Sequence, residues 1–205
     1  MGLVHTPRVL LTLAQAMRQP SNKLIGITEP HVYYGRAGLF DVDYLGHLNN
    51  AAYLNHSEYA RWSMSAVNGW LQAGYQHGSH FVLTSASCRY RAEIRPVFRK
   101  FKIETIITGM DDKHMWIYHT FRHAAEGDDR VRAQLLVKGM IIENRKPMDP
   151  REYLEKKVGV TDLAVLDSLK RPSTDASLEE MMVAYEALDG AQRKVAALQD
   201  ANVKS

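Results

Sequence analysis

From His80 to Tyr90, and again from Phe101 to Val137, side chains alternate with the period of two that marks strands with one face buried. Phe101, Ile103, Thr105 and Ile107 share one face of such a strand. Met115, Ile117, His119 and Phe121 share a face of the next, and Val131, Ala133, Leu135 and Val137 a face of the one after. Asp111-Asp112-Lys113 and Glu126-Gly127-Asp128-Asp129 supply turn residues between them. Ahead of these strands the period is helical. From Ala51 to about Leu71 no Gly or Pro occurs before Gly69. Ala52, Tyr59, Trp62, Ala66 and Trp70 fall on one side of that helix, and Ser57, Arg61, Ser65 and Asn68 on the other. Asn49 or Asn50 is its natural N-cap, because an Asn side chain accepts from the unpaired amides of a first turn. His31 to Phe40, rich in aromatic and β-branched residues, suits a first strand weakened by its glycines. The order is strand, long helix, then four consecutive strands. An apolar helix face followed by an antiparallel meander must be buried against it, so the pattern predicts an α+β domain with a sheet wrapped round one helix.

This domain is expected over residues 29–160, with extensions at 1–28 and 161–205. The first contains Arg8, Arg18 and Lys23 and no acidic residue before Glu29, a bias that suits a mitochondrial import signal. Its alternative is an arm that packs on the domain or on a partner, with the protein otherwise cytoplasmic. Pro147 and Pro150 lead into a short helix through Lys157, and the 161–205 extension is expected to be helical. There Ser177 and Glu180 form a capping box ahead of Met181, Met182, Tyr185 and Leu188, so a helix is expected from near Leu178, its Met-rich stripe a packing surface.

Composition then removes whole classes of function. A net charge of +3 in 205 residues gives no large field for nucleic acid. No stretch approaches the roughly 20 apolar residues of a membrane span. Cys88 is the single cysteine, so neither an internal disulfide nor a cysteine-based zinc site can form, and its place in a strand suits a buried structural thiol. His77 with His80, and His119 with His123, lack carboxylates at metal-ligand spacing, and no glycine-rich phosphate loop is present. No metal or cofactor is expected.

The chemistry concentrates in Asp41-Val42-Asp43-Tyr44-Leu45-Gly46-His47-Leu48-Asn49-Asn50-Ala51-Ala52-Tyr53. This stretch places carboxylates, a glycine, an imidazole and two amides directly before a helix. The helix start offers unpaired N–H groups and partial positive charge to an oxygen that becomes anionic in acyl transfer. A carboxylate beside it can act as nucleophile or as base for water. The same residues would also serve a capped turn.

The run Asp43-x-x-Gly46-His47-x-Asn49-Asn50-x-x-Tyr53, followed by Glu58-Tyr59-Ala60-Arg61, resembles the signature of hotdog-fold acyl-CoA thioesterases of the hydroxybenzoyl-CoA thioesterase type. Ser85-Ala86-Ser87-Cys88-Arg89-Tyr90-Arg91 and Ile94-Arg95-Pro96 continue the likeness, which covers roughly residues 31–145. Phe40-Asp41-Val42-Asp43 and Thr108-Gly109-Met110-Asp111-Asp112 look most like the thioesterase superfamily member six group. The resemblance implies Asp43 as the catalytic carboxylate and Asn50, or an adjacent N–H, as the group that polarises the thioester carbonyl. Gly46, His47, Asn49 and Tyr53 would line the substrate pocket or brace its loop. It further implies an acyl-CoA or other acyl thioester as substrate and a homodimer with acyl sites at the interface. Arg89, Arg91, Arg95, Arg99, Lys100 and Lys102 suit either coenzyme A phosphates or a solvated edge that blocks sheet-to-sheet aggregation. A second reading is a non-catalytic hotdog subunit of a larger mitochondrial assembly, motivated by the two extensions.

Overall fold

A computed structural model describes residues 2–169 and 176–203. After α1 (Gly2–Ala16) come β1 (His31–Arg36), α2 (Asn50–Val67), α3 (Trp70–His77), β2 (Ser79–Tyr90), β3 (Lys100–Met110), β4 (Met115–His123), β5 (Val131–Glu143) and β6 (Lys146–Met148). All pair antiparallel in one sheet of order β1-β3-β4-β5-β2, with β6 on β5. The β3-β4-β5 meander matches the alternation in the sequence, but β2 does not adjoin β3. With β1 and β4 on either side of β3, β2 takes the outer side of β5, and residues 91–99 carry the chain across. The outer edge of β2 is therefore free of any strand among the described residues.

The inner sheet face holds Phe101, Ile103, Ile107, Ile117, Phe121, Leu135 and Val137, all nearly inaccessible, and they share one core with Ala52, Tyr53, Ala60 and Met64 of α2. This is the hotdog arrangement, a sheet curled round one long helix. The helix departs from expectation in two ways. It ends at Val67, short of Leu71, because Gly69 at φ +88° turns the chain and Trp70 starts α3 in a new direction. Its buried face is also wider: Ser57 and Asn68 are buried, while Trp62 is 36% exposed. The sheet covers one side of α2 and α1 another, so two stripes are shielded where periodicity selects one.

Asp149 caps α4 (Pro150–Glu152), which runs into a π-helical turn, Tyr153–Val158, followed by α5 (Leu163–Ser168). The long α6 (Ala176–Val203) begins two residues before the expected Leu178; the Ser177 side chain of the capping box lies outside the described residues. Met182 of α6 is buried with Trp116 and Leu136 on the outer sheet face. Lys138 is buried there too, over the Trp116 ring at 5.2 Å, with its Nζ 3.4 Å from Asp189 and 3.8 Å from Glu186.

Candidate functional site

The loop before α2 is closed by its own hydrogen bonds. Asp43 N–H donates to the His47 carbonyl at 2.9 Å, and Gly46 N–H to the Asp43 carbonyl at 3.0 Å. One carboxylate oxygen, Oδ1 of Asp43, accepts from the amides of Leu45 (2.9 Å) and His47 (3.1 Å). Gly46 sits at φ +74°, where a side chain would be strained. Asp43 is thus pinned at the tip of the loop that leads into the helix, exposed, with Oδ2 unengaged among the described residues.

Asn49 is the N-cap: its Oδ1 accepts from Ala52 N–H at 2.9 Å. Asn50 and Ala51 begin the helix, and their N–H groups have no helical acceptor. The Asn50 carbonyl accepts from the Tyr90 hydroxyl at 3.1 Å, which ties the end of β2 to the start of α2. His47 lies 3.5 Å from Glu93 in the crossover segment. Tyr53 is buried edge-on to Tyr90, with ring centres 5.1 Å apart, and burial pushes its hydroxyl up to about 12. It braces the loop from the core.

The neighbouring carboxylate, Asp41, is the buried one. Its Oδ1 accepts from Arg8 of α1 at 2.6 Å, and its Oδ2 from Gly38 N–H at 2.8 Å and from His56 Nε2 at 3.3 Å. Burial alone would raise its pKa, but the hydrogen bonds from His56, Arg8 and Gly38 outweigh it and hold the carboxyl well below the usual range. Asp41 therefore fastens α1, the loop and α2 together.

An apolar cavity lies at the other end of α2. It measures about 580 Å³ and is walled by Trp62 of α2, Trp70 of α3, Phe81 and Leu83 of β2, Ile117 of β4 and Ile141 of β5. The Phe81 ring lies against Gly139, where a Cβ would overlap it. Arg61, Glu58 and His80 also line this cavity; Asp43 does not. Within one chain, then, the carboxylate implied by the family resemblance and the apolar cavity are apart: Arg61 is about 16 Å along the helix from Asn50. Sequence reasoning missed Arg61, because an arginine on the polar side of a predicted helix looks like a solvated group. It missed Tyr90 for the same reason, since only the fold brings β2 to the helix start.

Of the remaining candidates, Cys88 is a free, half-buried thiol packed on the core, and burial raises its pKa. His119 and His123 enter separate networks, the first with Thr105 and Arg61, the second with Asp128. Arg89, Arg91, Arg95, Arg99 and Lys100 are exposed beside the Asp43 loop, and Lys102 pairs with Glu104 at 3.2 Å.

Comparison with known proteins fits this architecture. The family model described as Thioesterase-like superfamily matches residues 38–158, which contain the loop, α2 and the strands that curl round it. The chain belongs to the thioesterase-like superfamily. Among curated relatives of this superfamily member, Protein THEM6 of Xenopus laevis is 30% identical over 151 residues, 74% of this chain and 70% of that one. Protein THEM6 of Drosophila melanogaster is 32% identical over 108 residues, 52% of this chain and 55% of the fly protein. Among solved structures, the probable thioesterase YbaW from Escherichia coli superposes with a TM-score of 0.55 at 22% identity, over 62% of this chain and 96% of that one. A 1,4-dihydroxy-2-naphthoyl-CoA thioesterase from Synechocystis gives 0.54 at 17% identity, over 70% and 99%. At these identities the structural matches speak for the fold.

Proposed function

We propose that this thioesterase-like protein hydrolyses an acyl thioester of coenzyme A, with Asp43 as nucleophile or as base for water. The observation that carries the reading is the pinning of Asp43: two loop amides fix Oδ1, while Oδ2 stays free beside a helix start with unpaired N–H groups. Attack on the thioester carbonyl carbon, by Oδ2 or by a water it deprotonates, places the oxyanion at the N–H of Asn50 or its neighbour. Collapse breaks the C–S bond, and the sulfur leaves as thiolate to take a proton. A covalent route would form an acyl anhydride on Asp43 that water then hydrolyses; single turnover in ¹⁸O-labelled water distinguishes it by label in the Asp43 carboxyl.

The substrate must reach Asp43, and a homodimer provides the route. The free edge of β2 suits pairing with a second copy, and a strand paired with itself about a two-fold axis runs antiparallel. The Tyr90 end of one β2, which touches Asn50, then meets the Phe81 end of the other, which walls the cavity. Asp43 of one chain and the cavity of its partner become one site. The exposed bases Arg89, Arg91, Arg95 and Arg99 border that site, where coenzyme A phosphates would sit.

The competing reading is the non-catalytic subunit of a mitochondrial assembly. Packing of α1 on α2 and of α6 on the outer sheet face gives both extensions a role within their own domain, so neither needs an assembly to account for it. That packing also favours the arm over the import signal for residues 1–28, since losing Arg8 would leave the buried Asp41 with only Gly38 N–H and His56 as partners. The test is turnover of an acyl-CoA panel by purified full-length protein, with light scattering to fix its size. An active dimer is expected, and Asp43→Ala should lower kcat/KM by roughly 10²–10³. Absence of turnover at every chain length, or an Asp43→Ala protein as active as the parent, rejects the reading.

A further inference from the structure

Arg61 is a largely buried cation with no carboxylate within 4.0 Å among the described residues. Its Nη1 donates to Ser57 Oγ at 3.1 Å and to His119 Nε2 at 3.3 Å. His119 is fully buried and neutral, because desolvation and then the Arg61 charge lower its pKa, and its Nδ1 reaches Thr105 Oγ1 at 2.9 Å. Since Arg61 only donates, the imidazole must accept at Nε2 and carry its proton on Nδ1. That chain of three side chains fixes one edge of the guanidinium. The other edge, Nε and Nη2, meets no acceptor among the described residues and is not sealed from open space.

Burial disfavours the charge and brings the guanidinium down to about 10, yet it stays protonated at neutral pH. A cation kept out of water without a counter-ion is costly, and an anion entering the cavity would recover that cost. Glu58, one turn back on α2, offsets part of that cost through its charge but makes no ion pair with Arg61 within 4.0 Å: it lies 3.4 Å from His5 and accepts from Trp62 Nε1 at 3.3 Å. The open Nε/Nη2 edge is the two-donor fork that matches a carboxylate. Arg61 among Trp62, Trp70, Phe81, Ile117 and Ile141, with the Glu58 carboxylate also on the wall, suits at most a monoanion with an apolar body; a phosphate of higher charge would need more positive groups.

We infer that the cavity at the far end of α2 binds a carboxylate carried on a hydrocarbon body, with the carboxylate on the Nε/Nη2 edge of Arg61. The shared chemistry has two sources, the free acid or an acyl group with a carboxylate at its far end. Binding stands apart from catalysis, so it can be tested whether or not the protein turns over a thioester.

The test is calorimetric titration of the full-length protein with decanoate, decan-1-ol and methyl decanoate. Decanoate should bind roughly 10–100-fold more tightly than either neutral analogue. Arg61→Met should erase that preference while leaving the neutral ligands unchanged, and Arg61→Lys should keep part of it. Equal affinities in the parent protein, or a preference that survives Arg61→Met, overturn the inference; the parent comparison decides even if Arg61→Met fails to fold. The sources separate in a second arm, run in Asp43→Ala so that neither thioester is turned over, that compares decanoyl-CoA with the half-thioester that decanedioic acid forms with coenzyme A. Tighter binding of the second, lost in Arg61→Met, assigns Arg61 to the far carboxylate of a substrate. Equal binding of the two with competition by decanoate assigns it to the free acid.

Discussion

The two ends of α2 solve opposite electrostatic problems. At its start, Asp43 is exposed and held by backbone amides of its own loop, so the charge is tolerated by water and fixed in direction by the turn. Eleven residues on from Asn50, Arg61 is largely withdrawn from water, held by two neutral side chains and left with donors to spare. The first end is built to act on something that arrives from outside the chain, the second to receive something into it. One helix can do both because its dipole and caps favour acceptors and anions at the start, while partial burial of a cation at the other end makes an incoming anion valuable.

That contrast can be broken most strongly at the loop's anchor. Asp41→Asn leaves Arg8 without its partner and should cost about 3–4 kcal/mol, read from denaturant midpoints at neutral pH. Because the folded-state pKa of Asp41 is depressed, its stabilisation is present above the ordinary value of 3.8 and fades as pH falls through the lower folded value. Asp41→Asn should therefore flatten stability loss below about pH 4, and an unchanged acid limb would remove Asp41 from its bracing role.

The far half of the helix responds in a different window. His31 is buried against Ser63 at 2.9 Å, and burial lowers its pKa from 6.5 to about 4. Between those values the unfolded chain takes up a proton that the folded chain refuses, so stability should fall on acidification across that range, by up to about 3 kcal/mol. His31→Gln should make that slope shallower, with His119 and His123 keeping their share, while leaving the limb below pH 4. Coincident loss of both limbs would mean the two ends unfold as one titrating unit. The smallest effect belongs to the cap: Asn49→Ala should cost about 1 kcal/mol by thermal melt and lower turnover if cap and oxyanion donors are coupled.

Much of the fold was legible because strand alternation and a capped helix are local signals: the faces of Phe101, Ile103 and Thr105, both hairpin turns and the Asn49 cap all follow from neighbours in sequence. The position of β2 was not, since which edge a strand joins depends on what already flanks β3. The Asp43 loop announces itself by its density of polar residues before a helix. Arg61 does not, because its meaning comes from His119 and, behind it, Thr105, at sequence distances no period can report, and from a wall contributed by three strands. The same holds for Asp41, whose partner Arg8 lies in a segment that composition alone would read as an import signal.

Gly139 gives the wall one adjustable point. The Phe81 ring rests where a methyl group would stand, so Gly139→Ala must displace the aromatic plane and change the room left for a guest. A difference of one carbon in the protein can thus be answered by several carbons in the molecule it accepts, and length preference could drift between close relatives without any change in the reacting groups.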